Sequence, residues 1–220
     1  NINNVFIFKM DFFNLKTIHT INIDYPDLYF TPEYGRACEY SDDAEWELCK
    51  YKDLIYVYLK RPIEYEGIIY YDLMTLNGYS GYYYEKEETY KEFIPIFRKR
   101  AKEKNYISEV LKQNPYLNIN IENYGVITNK TIFAIQTNKL NGYNNYFKTF
   151  INGKVRNTYR KAIKNKYKFE LLNMKKNLLK EKKFIDLYNF TMKKVNASKY
   201  YFFNQNYYNE LEKIKSSYLS

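Results

Sequence analysis

Hydrophobic and polar positions along this chain change texture about two-thirds of the way through. Before the change, apolar residues come in short dense runs. Leu54, Tyr56 and Tyr58 alternate with Ile55, Val57 and Leu59, so both faces of that segment are apolar, as in a central strand. The spacing predicts strands at residues 45–50, 53–60 and 68–73, with shorter β-like runs ahead of them at 5–8 and 20–23. Thr31-Pro32-Glu33 predicts a helix start: Thr as N-cap, Pro at the first helical position, an acid in the first turn. Tyr90, Phe93, Ile94 and Phe97 recur at helical spacing and predict a helix over 87–104, in which Pro95 implies a kink or a later start. Residues 106–111 and 121–136 again read as strands, the second as a hairpin turning at Asn129-Lys130.

The cluster Asn-Gly-Tyr-Asn-Asn at 141–145 marks a boundary, predicting one domain over 1–143 and a second over 144–220. After it the pattern predicts a basic helix at 144–165, a strand at 167–172 and helices at 179–196 and 206–215. Phe184, Leu187, Tyr188 and Met192 share one face of the third of these elements. One strand cannot form a sheet, so this second piece needs residues 1–146, or sequence outside the chain, to cover its apolar faces. The expectation is a truncated second unit.

Charge sharpens the division. Residues 1–146 carry 17 Lys/Arg against 20 Asp/Glu, whereas residues 147–220 carry 18 against 5, a swing from −3 to +13. A segment this basic suits a polyanion, a phosphate-bearing ligand or a membrane surface; a solvated lysine-rich face is the plainer reading. The 28 tyrosines fit the codon bias of an AT-rich genome, which lowers the weight of any argument from aromatic content.

The single histidine, His19, leaves no room for a His-based metal cluster and makes a Ser-His-Asp or Cys-His centre dependent on that one residue, which reads as structural. Cys38 and Cys49 fit no zinc or CxxC spacing and read as reduced core thiols. No apolar run reaches membrane-spanning length and no targeting pattern precedes the first strand, so the expected setting is cytoplasmic.

The stretch of greatest chemical interest leads out of the third strand: Asp72-Leu-Met-Thr75-Leu-Asn-Gly78-Tyr79-Ser-Gly81. Its glycines allow backbone amides to approach a ligand. Tyr79 and Tyr82–Tyr84 offer rings for a sugar or a base, with packing as the alternative. This loop resembles the D-x-x-T-P-Y-G-Y-G-G loop of FemAB-like proteins, tandem GNAT-fold acyl- and aminoacyltransferases. Ser108-Glu109-Val-Leu-Lys-Gln-Asn114-Pro115 is similar to the S-E-F-x-R-x-x-P segment of that family, and Val155-Arg156-Asn157-Thr-Tyr-Arg160-Lys161-Ala162 to its R-N-x-x-R-K-A helix. Phe184–Met192 and Tyr200–Phe203 continue the match. Leu76-Asn77 stands where the family has Pro-Tyr, Ser80 where it has Gly, and Lys112 where it has Arg.

The resemblance implies an α/β (α+β) fold: a GNAT-like mixed sheet flanked by helices, followed by the start of a second GNAT-like repeat. It implies acyl or aminoacyl transfer to an amine or hydroxyl of a cell-wall or polysaccharide precursor. The donor would be acyl-CoA or aminoacyl-tRNA, with no metal. Partners would be a nucleotide- or lipid-linked glycan precursor, tRNA and the membrane surface. Substrate-binding candidates are Thr75, Gly78, Tyr79, Gly81, Arg156, Arg160 and Lys161. Arg156, Arg160 and Lys164 share one helical face, a geometry that suits phosphate.

Asp72 and Glu109 are candidate general bases, provided burial raises their pKa. Against that stand two structural roles: Asp72 capping loop amides, and Glu109 pairing with a lysine. No R/Q-x-x-G-x-G/A pyrophosphate loop occurs, which points to truncation or to a donor other than acyl-CoA. The readings from other classes are a non-catalytic RNA-binding module, whose interleaved cations and rings track phosphates and stack bases, and an inactive scaffold.

Overall fold

The computed structural model describes residues 9–112, 114, 142–168, 172–173, 183–214 and 218–219. The chain divides into two compact units, Asn1–Tyr124 with Asn173–Tyr218, and Gly125–Leu172 with Leu219–Ser220. The fold class is mixed α/β.

The larger unit is built on a six-stranded sheet. Strands β1 (Asp11–Asn14), β2 (Glu45–Tyr51), β3 (Leu54–Tyr65) and β4 (Ile68–Met74) form an antiparallel run. Helix α1 (Pro32–Asp42) precedes β2, and Thr31 Oγ1 caps it by accepting from the Tyr34 N–H. After β4 come the short strand β5 (Gly81–Tyr83), the helix α2 (Glu87–Glu103) and β6 (Tyr106–Val110). β6 lies beside β4 and runs parallel to it, α2 serving as the crossover a parallel pair needs. β3 is long enough to hold β5 at Ile55–Val57 and β4 farther along, from Leu59 to Tyr65.

Each face of the sheet has its own core. On one, α2 brings Tyr90, Phe93 and Phe97 against Tyr56, Tyr58, Tyr82 and Tyr106. Tyr56 stacks on Tyr82 with centroids 4.1 Å apart and meets Phe97 edge-on at 5.2 Å; such pairs add about 0.5–1.5 kcal/mol each beyond area burial. The buried Glu47 carboxylate accepts from the hydroxyls of Tyr58 and Tyr106, and Lys60 and Lys104 Nζ lie 3.8 and 3.9 Å from its Oε2, so the group is not buried without partners. On the other face, Tyr34 and Cys38 of α1 pack with Phe30, Trp46, Leu48, Val57, Leu59 and Leu76.

The helices after residue 173 belong with this sheet. α6 (Gln205–Lys213) packs on α1, burying Tyr207 and Tyr208; Asn204 Nδ2 donates to the Tyr40 carbonyl at 2.6 Å. α5 (Lys183–Lys194) is tied to the turn at Lys199–Tyr201 through the Tyr188 hydroxyl, which donates to the Tyr201 carbonyl at 2.9 Å. Residues 1–146 thus supply the surface that α6 requires, and the compact units divide the chain differently from a boundary at 143. In the smaller unit, α3 (Gly142–Thr149) and α4 (Gly153–Lys164) contain no buried residue.

Several expectations change. Residues 20–23 form no strand: Ile18–Thr20 is a single 3-10 turn carrying an exposed His19, and the first described strand is instead Asp11–Asn14. α2 starts at Glu87 and continues through Pro95, which sits on its exposed side. The single helix expected over 144–165 is two, because Asn152 caps a new start by accepting from the Val155 N–H at 2.9 Å. Tyr167 and Lys168 form no strand, Leu172–Asn173 is a two-residue strand, and positions 169–171 between them lie outside the described residues. Cys38 and Cys49 are free and buried, as expected of core thiols. The β-like run at 5–8 and the hairpin at 121–136 lie outside the described residues.

Candidate functional site at the carboxyl end of the parallel pair

Because β4 and β6 run parallel, the segments that follow them leave the same edge of the sheet. Carboxyl ends of parallel strands are where open α/β sheets usually hold ligands. Here the two exits are stitched together. Thr75 N–H donates to the Val110 carbonyl at 3.2 Å, and Lys112 N–H donates to Thr75 Oγ1 at 3.1 Å. Just before the exits, Asp72 accepts from the Ser108 hydroxyl and pairs with Arg61 Nη2 at 2.8 Å.

A third segment joins from far along the chain. The Tyr200 hydroxyl donates to Asn77 Oδ1 at 3.3 Å, and Lys112 Nζ sits 5.4 Å from the centre of the Tyr200 ring. Tyr34 donates its hydroxyl to the Asn77 carbonyl. Asn114 Nδ2 donates to Asp27 Oδ2 at 2.7 Å, and the other oxygen of Asp27 accepts the Tyr29 N–H at 2.8 Å. The Tyr29 ring then meets Tyr34 and Tyr79 edge-on.

Within this frame the loop is more internal than its composition suggests. Thr75, Leu76, Ser80 and Gly81 are buried, and the Ser80 hydroxyl accepts the Leu76 N–H at 3.0 Å. Gly78 has φ +124°, and a Cβ there would lie 2.2 Å from Cε1 of Tyr29; glycine is required by both conformation and space. Gly81, at φ +109°, opens β5 opposite Val57. Asn77, Gly78 and Tyr79 are the partly exposed residues of the loop. Tyr82 is core rather than a stacking platform.

Asp72 lacks the raised pKa that a general base requires, and Glu109 is paired differently from the expected lysine contact. Ser108 and Arg61 hold the Asp72 carboxyl below the usual aspartate range, the opposite of the upward shift a base at neutral pH needs. Nor does Asp72 cap the loop amides. Glu109 pairs with no lysine among the described residues: its Oε1 accepts the hydroxyls of Tyr56 and of Tyr82, the latter at 2.7 Å. The cause is a register shift, in which Tyr71 faces Tyr106 but Asp72 faces Ser108. The extra residue, Ile107, puts Glu109 on the same side of the sheet as Tyr106, against the α2 core and away from Asp72.

Arg156, Arg160 and Lys161 belong to the smaller unit. Arg156 is committed to backbone, donating through Nη1 to the Ile151 carbonyl and to the Lys148 carbonyl at 3.0 Å, which fastens α4 to the end of α3. Arg160 donates to Asn157 Oδ1 at 3.0 Å, and Lys161 is exposed. Of the three cations expected to share one helical face, Arg156 is thus engaged with backbone carbonyls. No metal-ligating cluster of His, Cys, Asp or Glu occurs among the described residues.

No family model, curated protein or solved structure matches this chain.

Three residues of the site carry more than the sequence reading gave them. In the sequence Lys112 stands out only as a replacement for arginine, and Tyr200 only as part of the continuing match. Asp42, the last residue of α1, belongs to no motif in the sequence. Burial raises its pKa, with the Ser41 hydroxyl donating at 2.6 Å and the charges of Lys112 and Arg61 opposing the shift. A helix carboxyl end adds negative potential in the same direction. Asp42 in turn helps burial push Tyr200 up to about 12. Asp42 thus feels the charges of Lys112 and Arg61, and Tyr200 feels that of Asp42. Nothing local in Ser41-Asp42-Asp43 marks it; α1 is tied to the loop after β4 through the Tyr34 hydroxyl, which donates to the Asn77 carbonyl.

Proposed function

We propose that the chain is part of a FemAB-like acyl- or aminoacyltransferase, and that the carboxyl end of the β4/β6 pair is its acceptor-binding site. The observation that carries this reading is convergence. The resemblance rests on segments scattered over the chain, and three of them, at 72–81, 108–115 and 200–203, touch one another through Asp72–Ser108, Thr75–Lys112 and Asn77–Tyr200. Segments matched by chance have no reason to meet. A mixed sheet flanked by helices is also what a GNAT-like repeat leads one to expect.

In this reading Lys112 holds a phosphate of a nucleotide- or lipid-linked glycan precursor as a point charge. Asn77 and Tyr79 face its polar and ring groups. Asp42 takes the proton from the attacking amine or hydroxyl. Direct transfer of this kind needs positioned reactants and a base, with no covalent enzyme intermediate. The donor is acyl-CoA or aminoacyl-tRNA.

The reading is tested by transfer assays with both donor classes and a uridine-diphosphate-linked amino-sugar peptide as acceptor. Asp42→Asn lowers kcat by about 100-fold or more with KM little changed, as loss of a general base does. Lys112→Ala raises KM instead, and Asp72→Asn changes neither. Equal loss from Asp72→Asn and Asp42→Asn contradicts the assignment of the base. Absence of turnover together with tight, sequence-indifferent RNA binding contradicts the transferase reading itself.

A further inference from the structure

Residues 142–168 hold eight Lys/Arg and no Asp/Glu, and among the described residues none of these cations forms an ion pair. They also expose a large apolar surface. At 100° per residue, Val155, Tyr159, Ala162 and Ile163 fall on one arc of α4, while Lys154, Arg160, Lys161 and Lys164 occupy the rest of the circle. Val155, Tyr159 and Ile163 are 49, 45 and 58% exposed. On α3, Tyr143, Tyr146 and Phe147 form a second stripe at helical spacing, continued just past the helix end by Phe150, which is 64% exposed. The stripes join where the Phe147 ring meets Tyr159 at 5.1 Å, and the Arg156 bonds to the Ile151 and Lys148 carbonyls fix one helix to the other. The result is one apolar face across two helices, bordered by unpaired positive charge.

We propose that this face docks on an anionic lipid bilayer. The Val155–Tyr159–Ile163 stripe and Phe150 enter the boundary between headgroups and acyl chains, while Arg160, Lys161 and Lys164 meet lipid phosphates. Charge complementarity demands an anionic partner, and the layout on α4 selects among them. A groove for single-stranded RNA interleaves cations with stacking rings along the strand. Here cations and apolar side chains are segregated to different arcs, and Val155 and Ile163 have no ring to stack. Cations on one arc and an apolar face on the other are the design of an interfacial helix. The inference does not depend on the transferase reading, because its readout is binding alone.

The test is co-sedimentation of the whole chain with vesicles of phosphatidylcholine alone and of phosphatidylcholine mixed with phosphatidylglycerol. The chain sediments with the mixed vesicles, less so as salt rises, and not with the neutral ones. Lys161→Ala with Lys164→Ala weakens binding about 25-fold, at roughly fivefold per charge. Ile163→Ser weakens it about tenfold with all eight cations kept, and far-ultraviolet circular dichroism confirms that the helices persist. Ile163→Leu restores wild-type binding. Failure to sediment with the mixed vesicles overturns the proposal, as does Ile163→Ser binding them like the wild type. Binding to polyuridylate that survives while vesicle binding is absent assigns the face to RNA and overturns it equally.

Discussion

The two compact units solve opposite problems with much the same residue types. In the sheet unit, tyrosines go inward: Tyr56, Tyr58 and Tyr82 are buried among Phe93 and Phe97, and their hydroxyls find Glu47 and Glu109. In the α3–α4 pair, tyrosines and phenylalanines stay outside beside lysines, and no residue is buried. Tyrosine content alone therefore says nothing about role. What separates the regions is whether a hydroxyl has a carboxylate to meet and a second layer to cover the ring. The first region spends its aromatics on stability, the second holds them at a surface.

The widest contrast comes from deletion of one apolar side chain in each region. Phe93→Ala opens a cavity between α2 and the sheet and costs about 3–5 kcal/mol in urea unfolding. Ile163→Ala changes the same measurement by less than about 0.5 kcal/mol, as exposed positions do. Similar losses at both sites would break the comparison. A smaller effect is expected at the loop. Gly78→Ala meets both the positive φ and the Tyr29 ring, and lowers stability by about 1–3 kcal/mol; a neutral result would mean that residues 75–80 pack less closely than described here.

The smallest effect depends on pH. Ser108 and Arg61 depress the Asp72 pKa, so its carboxylate stabilises the fold above the unfolded-state value near about 3.9, and that contribution is lost as pH falls through the lower folded value. Arg61 is half exposed, and solvent screening keeps the gain under about 1 kcal/mol. Asp72→Asn is thus slightly destabilising at neutral pH and neutral below both values. A constant difference across pH would assign the effect to packing rather than charge.

Much of the sheet was legible because its signal is local. The apolar alternation of 54–59 placed β3, and Thr31-Pro32 placed α1 to the residue. What failed was set by tertiary contact. Asp-Phe-Phe-Asn at β1 has no alternation to read and becomes a strand because β2 offers it an edge. The break between α3 and α4 depends on an Asn152 cap and an Arg156 clamp that the helical periodicity runs straight across. The loop at 75–81 stood out by its glycines, but its composition does not show that Thr75, Leu76, Ser80 and Gly81 are buried, since glycine and serine look alike in both settings. Glu109 was misread because one extra residue in β6 changes the face it points to. Asp42, Lys112 and Tyr200 come from three elements, and no single window of sequence holds them together.

The central claim is that segments 75–81, 111–114 and 198–203 form one binding site. Amide hydrogen exchange of the whole chain, with and without the uridine-diphosphate-linked precursor, tests it most directly. Protection that rises together in these three segments and leaves 142–168 unchanged is the predicted result. No change in them, or protection confined to 142–168, would contradict it.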